Sequence, residues 1–423
     1  MLKNPTNRSV EVLHWETNHH WAGWGQKSGE MVGWAGYKVE KDRCKYQCHF
    51  HGNQSKYSTA DAIIFEPQPF GDRGDPYPLT KPCGQKYVMF SYETPIYFPR
   101  QSNAEYLSHM DWRMTFEESS EVRVSMMCSW GFEGGIEAYR REISPPFKQK
   151  QGFAVFVASN CHSGGALQRT QYVEDLMRYI PVDSFGLCLQ NQPSEALDRN
   201  TARERFAHKI EVFSRYKFVL AFENNNYTDY VTEKLSHALL STSIPVYMGP
   251  ESVEDYVPGD KSIIKTSDFK SPQDLANYLL NLAENEEDYL SYFKWKKQYF
   301  RTTFVRRYKE CIFNVECRLC ERIVEERVMA QSHPDEYTNQ PHYSLALTSG
   351  ISNQLLGNNY ILDHRFFTMH EITLVSIVLL LILYTMFNNV WLLLWIFQRI
   401  SKLFKIHSKS TTPHQHQPIP TET

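Results

Sequence analysis

The chain has 423 residues, 42% apolar and 22% charged, which excludes a mainly disordered protein and leaves room for two domains plus attachments. Its 45 basic and 48 acidic residues give a net charge of −3, so the balance offers nothing for a nucleic-acid partner. A mean hydropathy of −0.49 excludes a multi-span membrane protein.

Taken in chain order, short apolar runs closed by turn residues fall at Val10–His14, Ala62–Phe65, Tyr87–Phe90, Phe153–Ala158, Phe218–Phe222 and Ile244–Met248. Runs without alternation read as strands of parallel sheets, buried on both faces. Helical patterns stand at Tyr230–Leu240, Pro272–Ala283 and Asp288–Lys297. Strands alternating with helices predict a doubly wound α/β architecture. The polar segment 141–152, with its Pro pair, places a domain boundary near 148. The chain is then an α/β domain over 1–148, a second over 149–330 and a linker over 331–371. Neither a GxGxxG nor a GxxxxGK[ST] loop is present, so a standard dinucleotide or P-loop site is not expected.

Residues 372–397 carry no charge and, at ~1.5 Å per residue, reach ~39 Å, more than the ~30 Å hydrocarbon core. They predict one C-terminal transmembrane helix, with the basic and polar tail 398–423 disordered. Arg399, Lys402, Lys405 and Lys409 follow the span, which orients the tail to the cytoplasm and the large N-terminal part to a lumen. The first thirty residues hold no apolar signal core, so a signal or anchor upstream of this start is expected.

Nine cysteines fit disulfides in an oxidising lumen, with at least one left unpaired. Disulfides are expected at Cys317-Arg-Leu-Cys320 with Cys311, the alternatives being a redox pair or half a zinc site. Cys44, Cys48, His49 and His51 also leave a zinc reading open beside the disulfide one. Lys294–Lys297 and Arg306-Arg307 read as solvated helix faces. The Trp- and His-rich run from His14 to Trp34 reads as local packing, with an acceptor groove as the alternative.

The most informative stretch runs from Tyr216 to Pro250. A buried strand delivers Glu223-Asn224 at its carboxyl end, where open α/β sheets bind ligands. A polar loop follows, then a helix with Thr228 or Asp229 as N-cap, whose first turns favour an anion. Tyr230, Glu233 and Lys234 share one face there: an aromatic ring, a carboxylate and an ammonium suited to a nucleoside diphosphate. The alternative is an ordinary amphipathic helix with a surface Glu–Lys pair.

This stretch resembles the donor motif of the α1,3-fucosyltransferases (glycosyltransferase family 10): Phe222-Glu223-Asn224, then Asp229-Tyr230-Val231-Thr232-Glu233-Lys234, then Ile244-Pro245-Val246 ending at Gly249-Pro250. Ser159-Asn160-Cys161 with Arg169 resembles the family's SN[CW]…R segment. Asp183-Ser184-Phe185-Gly186 closing at Cys188 resembles its DS[YF]G-x-C element, and Cys317-Arg-Leu-Cys320 its late CxxC pair. Tyr92-Glu93-Thr94 resembles the [LM]ES segment, and Asp111–Phe116 the WTMTY segment. The resemblance covers roughly residues 60–320 and is weaker in the first domain. Where the family continues Tyr-Arg-x-Asp-Ser-Asp, this chain has Phe116-Glu117-Glu118-Ser119-Ser120-Glu121, a lost Arg and an added acid.

The resemblance implies a GT-B fold of two facing Rossmann-like domains. It also implies inverting transfer of L-fucose from GDP-β-L-fucose to O3 of a GlcNAc in a glycoprotein glycan. Glu93 is then the base, Arg169 and Lys234 neutralise the leaving diphosphate, and Ser159, Asn160, Asn224, Tyr230 and Glu233 line the donor site, with Glu223 bracing it. No Asp-x-Asp pair stands in the donor region, so no obligatory metal is implied; a divalent cation is stimulatory at most. The expected setting is the Golgi membrane with lumenal catalytic domains, the partners being GDP-fucose, a glycan acceptor and the lipid bilayer. Two alternatives stand beside this: a catalytically inactive glycan-binding paralogue, and a fucosyltransferase for another acceptor such as a protein hydroxyl.

Overall fold

The computed structural model describes residues 8–15, 25–27, 30–32, 44–67, 80–130, 132–193, 197 and 202–332. Strands β1 (Val10–His14), β2 (Gly25–Lys27), β3 (Glu30–Val32), β4 (Cys48–His51), β5 (Ala62–Phe65) and β6 (Lys86–Ser91) come first. Helix α1 (Ala104–Ser108) and β7 (Trp112–Thr115) complete this half. The second half runs β8 (Gly152–Phe156), α2 (Ala166–Leu176), β9 (Val182–Ser184), α3 (Ala202–Ser214), β10 (Tyr216–Phe222), α4 (Glu233–Leu240), β11 (Ile244–Met248) and β12 (Ile264–Lys265). Helices α5 (Pro272–Glu284), α6 (Glu286–Ser291), α7 (Thr302–Lys309) and α8 (Val315–Ser332) follow.

Two five-stranded sheets result, in the orders β4-β1-β5-β6-β7 and β12-β11-β10-β8-β9. Every pairing in both is parallel. The six apolar runs of the sequence are the six inner strands. The other four strands of these sheets, β4, β7, β9 and β12, lack such a run and are their four edges, while β2 and β3 form a separate two-stranded sheet. An inner strand needs apolar side chains on both faces, whereas an edge strand such as β4 buries only Cys48 fully. On β10, Val219 and Ala221 enter one core while Phe218, Leu220 and Phe222 enter the other, so both phases of the two-residue period are hydrophobic. Truncating a ring such as Phe222 would cost ~3–5 kcal/mol.

Four disulfides staple this frame. Cys44–Cys317 and Cys48–Cys320 join the two cysteine clusters to each other, which excludes both the redox pair and the zinc readings there. Cys128–Cys311 and Cys161–Cys188 complete the set, and Cys83 is an exposed free thiol.

Three expectations are corrected. The transmembrane helix is withdrawn from the architecture: among the described residues no helix is long and apolar enough to cross a membrane, and 372–397 lie outside those residues. The helix expected over Asp288–Lys297 ends at Ser291, and a 3-10 turn at Lys294–Lys297 carries Trp295 and Lys296 into the interior. The basic segments are solvated only in part: Lys294, Lys297 and Arg306 are exposed, but Lys296 donates to the carbonyl of Tyr139 at 2.7 Å and Arg307 is fully buried. Arg307 meets Glu118, Asp255 (3.4 Å) and Glu310 (3.0 Å). Burying a guanidinium requires such partners.

Candidate active site

Parallel strands deliver their following loops to one edge of a sheet, and the helices that follow begin there. In the second sheet, adjacent strands β8 and β10 therefore present the loops 157–165 and 223–232 side by side. Gly164 (φ +62°) and Gly165 (φ +94°) occupy left-handed conformations just before α2. A Cβ on Gly165 would stand 2.8 Å from the carbonyl of Asn224, so only glycine lets the two loops close.

Arg169, on the first turns of α2, is buried and holds this junction. Its guanidinium donates to the carbonyl of Phe222 and to that of Asn160, both at 2.9 Å. Its Nε has no partner among the described residues. Burial lowers its pKa, opposed by the nearby carboxyls of Glu223, Glu233 and Glu93. Asn160 uses its side chain on Ser163, accepting from its N–H at 3.0 Å, while Ser159 lies exposed on the same loop. Asn224 is buried beside Gly165.

Glu223 decides where α4 begins. Its carboxylate accepts from the backbone N–H of Thr232 at 2.8 Å and from the Thr232 hydroxyl at 2.7 Å. Thr232 is thereby the N-cap, and the helix starts at Glu233 rather than at the expected Tyr230. Asp229, expected to cap, instead takes φ +65° in the preceding turn. Tyr230 consequently does not share a helix face with Glu233 and Lys234. The Lys234 ammonium sits 2.9 Å from the Thr232 hydroxyl and 3.4 Å from carboxylate oxygens of both Glu223 and Glu233. Burial pulls the Lys234 pKa down, but the two carboxylates outweigh it and hold it above its ordinary value. Burial pushes Glu223 up, against the pull of Lys234. On Glu233 burial is outweighed by Lys234 and Lys209, leaving its pKa low.

The first half contributes Glu93, three residues beyond Phe90 on β6. Its carbonyl is fixed by Ser91 Oγ at 3.0 Å and Gln101 Nε2 at 2.8 Å. Its carboxyl accepts from the Tyr230 hydroxyl at 2.7 Å, so the predicted base and the 223–232 loop meet directly. Burial raises the Glu93 pKa, countered by the Tyr230 hydrogen bond and by Lys234. The halves are joined further by Asn225 Nδ2 to Thr94 Oγ1 (2.8 Å) and by Tyr227 OH to Glu117 (3.0 Å).

The altered segment Phe116–Glu121 has defined partners. Glu118 receives Arg123, Arg306 and Arg307, its backbone N–H donates to Asp229 at 2.9 Å, and Phe116 packs edge-on against Tyr230 at 5.2 Å. The Glu118 carboxylate thus ties the first half to α7, while its backbone N–H and the Phe116 ring meet the 223–232 loop.

Asn225, Gly165 and Lys209 escaped the sequence reading, and Thr232 stood in the motif without its capping role. Ser-Gly-Gly before a helical run was a usable signal for Gly165. Lys209 is half-buried, with its pKa lowered to about 8 by burial against the pull of Glu233, and nothing local marks it.

Two parallel-sheet α/β halves, with the candidate base on one and a cation-lined loop on the other, are consistent with a GT-B glycosyltransferase. The chain belongs to glycosyltransferase family 10, the fucosyltransferases. The family's C-terminal model matches residues 147–337, and the fucosyltransferase N-terminal model matches 7–126. Among curated relatives, "Alpha-(1,3)-fucosyltransferase B" of Drosophila melanogaster is 30% identical over 298 residues, 68% of this chain and 62% of its own length. A mouse "4-galactosyl-N-acetylglucosaminide 3-alpha-L-fucosyltransferase 9" is 31% identical over 60% of this chain and 65% of its own. A chicken "GDP-fucose protein O-fucosyltransferase 3" is 39% identical over 142 residues, 34% of this chain and 30% of its own. The chain thus spans less than two thirds of these relatives' length. A solved α1,3-fucosyltransferase with GDP aligns at a TM-score of 0.49 and 20% identity, over 75% of this chain and 90% of that one.

Proposed function

We propose that the chain is an inverting fucosyltransferase that moves L-fucose from GDP-β-L-fucose to O3 of a GlcNAc. The observation that carries this reading is the 2.7 Å contact between the Glu93 carboxyl and Tyr230, which sets a poised base against the donor loop. Glu93 takes the proton of the acceptor hydroxyl as that oxygen attacks the anomeric carbon. The leaving diphosphate gains charge, and Lys234 with Arg169 offsets it. Arg169, already committed to two carbonyls, acts through its charge and its Nε rather than as a two-pronged fork. Because fixed cations stabilise the leaving group, transfer needs no divalent cation. Disulfide formation supports a Golgi lumen as the working compartment.

The test is GDP release from GDP-fucose by the full chain, made in an oxidising host, over a panel of GlcNAc-containing acceptors, with and without EDTA. Acceptor-dependent release, unaffected by EDTA and lost in Glu93→Ala and Lys234→Ala, is the expected outcome. Binding without turnover on any acceptor would favour the glycan-binding alternative. The similarity to a relative named for protein O-fucosylation supports a second reading, in which the acceptor is a protein hydroxyl. Including folded protein acceptors in the panel decides between the two.

A further inference from the structure

At the carboxyl edge of the first sheet a small pocket opens among Glu66, Ser91 and Glu93 and the rings of Phe90, Tyr92 and Phe98. Register places these groups together. β5 pairs with β6 so that Phe65 stands opposite Met89, which brings Glu66 level with Phe90, and Glu93 leaves β6 three residues further on. β1 pairs with β5 on the other side, His14 opposite Ile64. The His14 imidazole Nε2 stands 3.5 Å from a Glu66 carboxyl oxygen. Both side chains are buried, at 1% and 4% exposure.

The lining narrows the occupant. No Lys or Arg lines the pocket and the Glu93 carboxyl faces it, so a phosphate or sulfate would find no cation there. Among the described residues no group of three His, Cys, Asp or Glu is placed to hold a metal ion. Aromatic rings beside hydrogen-bonding carboxyls suit a neutral ring that carries hydroxyls on its rim and C–H bonds on its faces. Burial also pushes the Glu66 carboxyl up to about 8, so near neutral pH it offers an O–H donor as well as an acceptor.

We propose that Glu66 is an acceptor-binding residue: it hydrogen-bonds a hydroxyl of a neutral pyranose seated next to Glu93, with His14 as the positioning residue that holds its carboxyl. This rests on the fucosyl-transfer reading and deepens it. Glu66 takes no part in the proton transfer; it selects which hydroxyl arrives at the base.

The experiment measures initial rates with N-acetyllactosamine as the acceptor probe, GDP-fucose affinity by calorimetry, and Tm, for the full chain and for Glu66→Ala, Glu66→Gln and His14→Gln. Glu66→Ala is expected to raise the acceptor KM about tenfold, the loss of one hydrogen bond to a buried group, with GDP-fucose affinity unchanged. Glu66→Gln, isosteric with the acid, keeps KM within about threefold, and His14→Gln falls between them. An unchanged acceptor KM in folded Glu66→Ala overturns the proposal. If that variant does not fold, Phe98→Ala takes its place, and an unchanged KM there overturns it equally. If the wild-type chain transfers nothing to N-acetyllactosamine or to any other acceptor of the GlcNAc panel, the function reading fails by itself. The pocket is then tested by saturation-transfer NMR with the same sugar, where a signal lost in Glu66→Ala supports the site and a signal retained, or none in wild type, overturns it.

Discussion

The Tyr230 hydroxyl donates to the Glu93 carboxyl at 2.7 Å across 137 positions of sequence, tying the loop before α4 to the end of β6. The bond opposes the burial that raises the Glu93 pKa. Tyr230→Phe removes it without changing the ring that packs on Phe116. A base must be ionised to act, so activity rises with pH through the Glu93 pKa. The variant is expected to shift the acid limb of the kcat/KM profile to higher pH and to lower kcat about tenfold, a net hydrogen bond to a charged group. A pH–rate series on both proteins measures this, and an unmoved acid limb would separate Tyr230 from the base.

Lys234 stands 3.4 Å from both Glu223 and Glu233. Lys234→Ala is expected to lower kcat about 10²–10³-fold, the size of one lost charge-stabilising donor. It also leaves Glu223 buried without its cation, which raises that carboxyl's pKa further above its unfolded value. A carboxyl raised in the folded state contributes most when protonated, and stability falls as pH rises toward the folded pKa. Tm scans at acid and alkaline pH should therefore show the variant losing more at the alkaline end.

Gly165→Ala places a Cβ 2.8 Å from the Asn224 carbonyl at φ +94°. The conformational part alone costs about 1–2 kcal/mol, and the contact moves the Asn224 loop. Lower Tm together with a higher KM for GDP-fucose is the expected pattern. A stability loss with donor KM unchanged would separate this loop from the donor.

Cys44–Cys317 and Cys48–Cys320 close nearly the same loop, with separations of 273 and 272 residues. Once either has formed, the other closes only a short ring. Removing one should cost about 2–3 kcal/mol, and removing both should cost about 5 kcal/mol beyond that, in the chain-entropy account. Denaturant melts of Cys48→Ser with Cys320→Ser, and of the fourfold variant, test this non-additivity.

The sequence displayed what depends on near neighbours. Inner strands show their burial as unbroken apolar runs, and the donor segment shows its residues within one short stretch. Edge strands lack the run because they bury fewer side chains. The start of α4 was misplaced because Glu223, nine positions upstream, outcompetes the local cap choices. Arg307 read as solvated because its partner Glu118 lies 189 positions away. Glu66 carried no motif; only the pairing of β5 with β6 brings it beside Glu93.

The last described helix, α8, belongs to the first sheet rather than to the sheet that precedes it in the chain. Disulfides join it to Cys44 and Cys48, Glu326 pairs with Lys86 at 3.1 Å, and Arg327 reaches the carbonyl of Arg8 at 3.1 Å. During synthesis the strands of the first sheet emerge by Thr115, but this flank stays uncovered until α8 follows at Val315–Ser332, whereas the second sheet and its helices α2 to α6 are complete by Ser291. The half bearing Glu93 is therefore expected to finish folding last. A truncation before residue 315 removes the cover of the half made first.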